Sequence, residues 1–336
     1  MNNSMFEASK SIQGYRNWED YNRAQIKEKK YFLELLFELC KFVPDVARKP
    51  GAGRSPLPLR DMVFAIVLQA FVCTSSRRFT TDMTAAKEQG YVEYVPHFNS
   101  VCRYRTLPEM YTVLQELVGI SSSPLAELED EFSVDSSGFS TGQSYSWVAE
   151  KWGNGKIIKK RGIWLKCHLT CGNASHIVVA VNITGLNGAD SPEFIPLIRK
   201  TSERFKIKRV MADKAYLSEL NLKCVDNKGG VAFIPFKPNN RAGANHGDVW
   251  NTLYHYFHLH HDLFKKYYRR RANVECAFSM IKRKFDERLR SKTLTAQKNE
   301  VLCKLLSHNI CCVIRMMVQM QVKPGFRKDP SYPYNG

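Results

Sequence analysis

The sequence predicts an α/β core preceded by an all-helical region, and three observations carry that prediction. The apolar period is helical up to about residue 125, then turns short and strand-like near residue 130. From there, runs rich in Val, Ile and Phe alternate with amphipathic helical runs, the order that builds a sheet covered by helices. At 336 residues the chain is long enough to bury a large core and to carry an accessory region beside it.

Residues 1–125 read as helices. "YFLELLFELCKFV" has one apolar face, "SPLPLRDMVFAIVLQAFV" opens on prolines, and "TTDMTAAKEQGYV" offers Thr and Asp as caps. In "PHFNSVCRYRTLPEMYTVLQELV" an Asn/Ser start leads into a short basic helix with Arg103 and Arg105, then a longer apolar one. Short helices bearing Arg77, Arg78, Arg103 and Arg105 have the character of a helix-turn-helix, so this is the candidate DNA-binding region.

Residues 126–292 are expected to form the core. "EFSVDSSGF" reads as a strand ending in Asp135, and "GIWLKCHLT" and "ASHIVVAVNIT" as strands joined at a Gly172-Asn173 hairpin turn. "SPEFIPLIRKTSERF" is a helix with a Ser cap and Pro at its first position. "KRVMADKAY" is a strand delivering Asp213, "SELNLKCVDNKGG" a helix stopped by glycine, and "VAFIPF" a short strand. Lys237 to Asp262 is polar and aromatic with weak periodicity. A C-terminal amphipathic helix over 293–322 is expected to pack on the core, followed by a loose tail at 323–336.

The net charge is +18, a physical argument for a polyanionic partner that says nothing about fold. No apolar run reads as a membrane span; the longest, around Met62 to Cys73, suits a buried helix. The N-terminus lacks a signal-peptide core, so an intracellular protein is expected, and the ten scattered cysteines fit reduced thiols.

"KKYYRRRANVECAFSMIKRKF", Lys265 to Phe285, holds a single acid, Glu275, among arginines and lysines. Read as one helix at about 100° per residue, it places Tyr268, Arg271, Glu275 and Lys282 within a wedge of roughly 60°. Ala277, Phe278 and Ile281 would tuck the edge of that face against a core. Taken alone, Glu275 would need no role beyond i,i+4 ion pairs on a solvated helix. Asp135 before "SSG" likewise suits a turn cap, and Asp213 before Lys214 a helix N-cap. Together, three carboxylates from three elements suit a hard divalent cation such as Mg²⁺; two such ions clamp an in-line phosphoryl displacement, while surrounding cations hold the DNA backbone.

Tyr268, two residues, Arg271, three residues, Glu275, six residues and Lys282 reproduce a Y-x2-R-x3-E-x6-K signature. In this the chain resembles the DDE transposases of bacterial and archaeal insertion sequences, in the groups numbered four and five. "SVDSSGF" and "VMADKAYLS" look like the segments carrying that family's two aspartates, and the resemblance spans about Phe132 to Lys284. It implies a ribonuclease-H-like core, a mixed sheet flanked by helices, with Asp135 and Asp213 on strands and Glu275 on a helix. These three would be catalytic and bind two Mg²⁺ ions, with Mn²⁺ as a substitute. Tyr268, Arg271 and Lys282, with Arg269 and Arg270 beside them, would hold phosphates, and Arg103 and Arg105 would contact DNA. The implied activity is cleavage at transposon ends and joining of the freed 3′-OH to target DNA, by a homodimer on DNA in the cytoplasm. Some relatives carry a β-rich insertion before the glutamate; here only a short one fits, about 237–262, with Trp250 as a packing or base-stacking residue.

Other signals are weaker. His255, His258, His260 and His261 have partial helix-type metal spacing without partner ligands. Cys167 and Cys171 share a strand face, which favours buried thiols over zinc. The basic run Lys156 to Gly162 suits either a solvated turn or a DNA-facing loop. A domesticated DNA-binding relative, a metal-dependent nuclease on the same core and a plain helix-turn-helix regulator are the rival readings.

Overall fold

The computed structural model describes residues 18–44, 56–141, 164–185, 188–321 and 324–327. The run Lys156 to Gly162 and most of the tail lie outside the described residues. Before the sheet come α1 (Trp18–Ile26), α2 (Glu28–Cys40), α3 (Leu59–Val72), α4 (Thr80–Glu88), α5 (Phe98–Arg105) and α6 (Glu109–Ser122). Pro58 precedes α3, where its fixed φ and missing N–H cost nothing, and Cys73 ends that helix in a left-handed conformation (φ 54°).

The sheet has five strands: β1 (Glu131–Ser140), β2 (Trp164–Gly172), β3 (Val178–Gly185), β4 (Arg209–Ala212) and β5 (Val231–Phe233). Their order is β3-β2-β1-β4-β5, with β1, β2 and β3 antiparallel neighbours and β4 and β5 parallel to β1. The sheet is therefore mixed, as expected. Each parallel strand is reached through a helix, since a parallel return cannot be made by a tight turn: α7 (Ser191–Ser202) precedes β4 and α8 (Glu219–Asp226) precedes β5. After the sheet come α9 (Asp248–Leu259), α10 (His261–Tyr268), a 3₁₀ turn (Arg269–Arg271), α11 (Ala272–Phe285) and α12 (Leu294–Met320).

Four local expectations are corrected. Asp135 lies in the middle of β1 rather than at its end, because pairing with β2 continues to Ser140. The β2–β3 connection is longer than a two-residue turn: Gly172 N–H bonds Ile177 O at 2.9 Å across it, with His176 at φ 65°. Ser191 is already helical and Asp190 is the residue before it, with no side-chain cap bond. Half of the weakly periodic 237–262 segment is helix, since the apolar residues of α9 pack on one side while its histidines face outward; Trp250 is buried there, stacked on His246 with its Nε1–H donated to Arg241 O at 2.9 Å.

One hydrophobic core runs from α1 through the sheet to α12. Helix α12 is its axis. Over 27 residues it is long and apolar enough to cross a membrane, contrary to the sequence reading, but 83% of its most apolar window is buried inside this fold. Asn309 shows why a polar residue stands there: Oδ1 accepts Val178 N–H at 2.8 Å, and Nδ2 donates to Val178 O at 2.7 Å and Ser121 Oγ at 2.9 Å. That side chain pairs the edge strand β3 with the helical layer, so its own buried donors are met. Beyond α12, Arg327 N–H returns to Ser123 Oγ at 2.8 Å.

Candidate active site at the β1–α11 junction

Strand β1 is central in the sheet, and its alternating side chains put Asp135 and Ser137 on one face and Ser136 on the other. Helix α11 packs along the first face, held by Val274, Ala277, Phe278 and Ile281, all buried. The strand and helix run side by side: Arg270 O accepts Ser133 Oγ–H at 3.2 Å, and Lys282 Nζ donates to Ser137 Oγ at 2.9 Å. Burying the apolar stripe of α11 is what lays its polar edge over Asp135.

Lys265–Phe285 is not one uniform helix. The 3₁₀ turn Arg269–Arg271 has about 3 residues per turn, so residues three apart eclipse and Arg271 comes directly into line with Tyr268. Arg271 then bridges two carboxylates. Its Nη1 donates to Asp135 Oδ2 at 2.8 Å and its Nη2 to Glu275 Oε1. Asp213 directly follows β4, the parallel neighbour of β1, and caps the next turn by accepting Lys214 N–H at 2.6 Å.

Burial pushes the Asp135 carboxyl above its usual range; the Ser136 N–H and Arg271 oppose this, and the charges of Glu275 and Asp213 add to it. The three carboxylates thus share one electrostatic environment. Arg271 is held above its ordinary value: burial lowers it, but Asp135 and then Glu275 outweigh that. Tyr268, half-buried and stacked on Phe264, is pushed up by burial, against Arg271 and with Asp213.

Carboxylates at a half-buried site, one of them resisting ionisation, fit a hard divalent cation in donor type and in charge. In this arrangement the compensating charge is the Arg271 guanidinium. Among the described residues no three His, Cys, Asp or Glu side chains converge closely enough to hold a metal ion. This covers the histidines of α9 and α10 as well, whose rings pack against Tyr254 and Phe257.

The other basic residues separate. Arg269 is exposed. Arg270 turns inward and donates Nη1 to Glu131, whose other oxygen accepts Arg209 Nη1 at 2.5 Å; Arg209 is fully buried beneath the Tyr267 ring. Arg103 and Arg105 lie on α5, away from the carboxylates; Arg105 bonds Gln69 Oε1 at 2.5 Å.

A polar cluster on the opposite face of β1 was absent from the sequence reading. Asp190 accepts Ser136 Oγ–H at 2.7 Å and Lys166 Nζ at 2.8 Å, and His168 Nδ1 lies 3.4 Å from it. Buried Tyr216 lies close enough to feel Asp190, Asp135 and Asp213 after burial itself, all raising its pKa. No motif or spacing in the sequence pointed to this cluster, because it joins residues from β1, β2 and the start of α7.

No solved structure matches the chain. Residues 127–310, more than half of the chain and the span holding all three carboxylates, match the family described as transposase DDE domain. With its mixed sheet, helical cover and Asp135, Asp213 and Glu275 inside the matched span, the chain belongs to the DDE transposases.

Proposed function

We propose that this chain is the transposase of an insertion sequence, built on a ribonuclease-H-like core, that binds the element's inverted-repeat ends, cuts there and joins the freed 3′-OH to target DNA. The observation carrying the reading is the Arg271 bridge between Asp135 and Glu275, with Asp213 close enough to raise Asp135. These acids come from a central strand, the end of its parallel neighbour and a helix packed over β1 and β2.

Asp135, Asp213 and Glu275 would hold two divalent cations, Mg²⁺ or Mn²⁺, which when bound neutralise charge at phosphorus and activate the attacking hydroxyl. The chain's own residues position the DNA. Arg271 presents a planar fork that fits a phosphate as well as it fits two carboxylates, so an arriving phosphate can draw it off Asp135 and Glu275. Lys282, held at Ser137 on the same face, supplies a point charge farther along the strand. The Tyr268 hydroxyl, kept protonated by burial, is available as a donor beside Arg271. Cleavage and joining are both in-line displacements, so one arrangement serves both, with catalysis resting on positioning and charge. Arg103 and Arg105 on α5 would contribute DNA contacts, the reaction at two ends calls for a homodimer on DNA, and the place of action is the cytoplasm.

The test is a strand-transfer assay with purified protein, labelled DNA carrying the repeats that flank the gene, a target plasmid and Mg²⁺ or Mn²⁺. Joined products from the wild type and none from Glu275→Gln, with end binding retained, are expected. Cleavage without joining would point to a nuclease, and equal loss of binding and cleavage in Glu275→Gln would remove Glu275 from the metal-binding set.

A further inference from the structure

A cavity of about 470 Å³ opens where α3 and α5 meet the loop after α11 and the start of α12. Its walls include Ala70, Phe285 and Ala296, and its charged groups are Arg105, Arg290, Lys292, Lys304 and one acid, Glu300. The acid is already spent. Glu300 accepts the backbone N–H of Arg290 at 3.0 Å and of Ser291 at 2.8 Å, and lies 3.5 Å from Lys304 Nζ. Lys304 is spent too, donating to Asp286 O and Arg288 O, each at 2.8 Å.

The charged groups that remain are all donors. Arg105 uses Nη2 on Gln69, while its buried Nε has no partner. Arg290 uses Nη1 on Cys73 O at 2.7 Å and is otherwise exposed. Lys292 is exposed and forms no ion pair among the described residues, and the Thr74 hydroxyl is buried without a partner. Three cations and a hydroxyl around apolar walls suit a ligand with an anionic group on an apolar body, and they exclude a cation.

The cavity's place is set by two elements that also carry the carboxylates. Phe285 is ten residues beyond Glu275 on α11, ~15 Å along a helix axis. Ser140, at the end of β1, bonds Glu287 O and Leu289 N–H, and it lies five residues beyond Asp135, ~17 Å along a strand. Both elements therefore run from the carboxylates toward the loop that carries Arg290 into the cavity wall.

We propose that this cavity seats one nucleotide of the bound DNA, its phosphate on Arg105, Arg290 and Lys292 and its sugar or base against Phe285 and Ala296, on the same strand as the phosphate at the carboxylates. The proposal rests on the transposase reading. It makes the cavity the junction at which the helical region and the catalytic face hold the same strand.

The experiment uses the full chain and a labelled DNA duplex, with affinity measured between about 50 and 200 mM salt for wild type, Lys292→Gln and Arg290→Gln. Each variant is expected to weaken binding and to flatten the log–log salt slope by about 0.9, the share of one phosphate no longer neutralised. In parallel, alkylation of the wild type by iodoacetamide is followed by mass spectrometry at Cys102, which lines the cavity and is exposed, and at Cys224 on α8 as reference. DNA is expected to slow Cys102 relative to Cys224. This second readout needs no variant to fold. If wild type binds DNA but both variants keep its slope and Cys102 reacts equally fast with and without DNA, the cavity is not a DNA subsite and the transposase reading stands. If wild type binds no DNA even at the lowest salt, both readings fall.

Discussion

Arg271 donates Nη1 to Asp135 Oδ2 at 2.8 Å, and the same guanidinium reaches Glu275 through Nη2. A cation that belongs to the chain therefore sits between two acids proposed to hold a metal, and any divalent ion must compete with it. Arg271→Gln is expected to tighten Mn²⁺ binding to the DNA-free protein by about tenfold, the scale of one charge-assisted hydrogen bond removed from a competitor. Titration calorimetry or Mn²⁺ resonance would measure it. Weaker binding in the variant would mean that Arg271 holds the carboxylates in place for the metal.

The triad of buried Arg209 and Glu131 with half-buried Arg270 tests a structural role for one of the arginines beside the site. Glu131→Gln removes the carboxylate charge paired with the fully buried Arg209 and is expected to destabilise the fold by about 3–5 kcal/mol in urea titration. Arg270→Gln removes the more exposed member and is expected to cost distinctly less. Equal losses would make Arg270 as necessary to the fold as Glu131.

His308 predicts a pH dependence. It is buried in α12 with Nε2–H donated to His176 O at 2.8 Å, and burial lowers its pKa to about 4. A depressed histidine is neutral in the fold, so the stability it contributes is whole above its unfolded pKa and declines as pH falls from about 6.5 toward about 4. Within that window the loss is about 1.4 kcal/mol per pH unit. Chemical denaturation from pH 7 to pH 4.5 should show this slope in wild type and a shallower one in His308→Gln. The same slope in both would assign the acid sensitivity elsewhere.

Much of the architecture was legible because it depends on local patterning. Alternating apolar runs placed β1 to β5, and Ser218 before Glu219 and Gly229 after Asp226 bounded α8 as caps do. The spacing of Tyr268, Arg271, Glu275 and Lys282 set one polar edge in sequence, although the segment that carries it is two helices joined by a 3₁₀ turn and not one helix. That β1, which carries Asp135, pairs with β4, which ends just before Asp213, was not visible, because that pairing joins segments far apart in sequence.

What only the tertiary structure decided follows from burial and long-range pairing. Arg269, Arg270 and Arg271 are indistinguishable as sequence; Glu131 beneath one and Asp135 beside another turn them to different work. Asp190 carried no signal in sequence; β1 and β2 bring Ser136 and Lys166 to it. Helix α12 passes for a membrane span by composition, and becomes the axis of the core because both of its sides find partners, Asn309 included. Sequence determined which residues share an element's face. The meeting of faces, which decides whether a charge is buried, paired or left open to a ligand, came from packing.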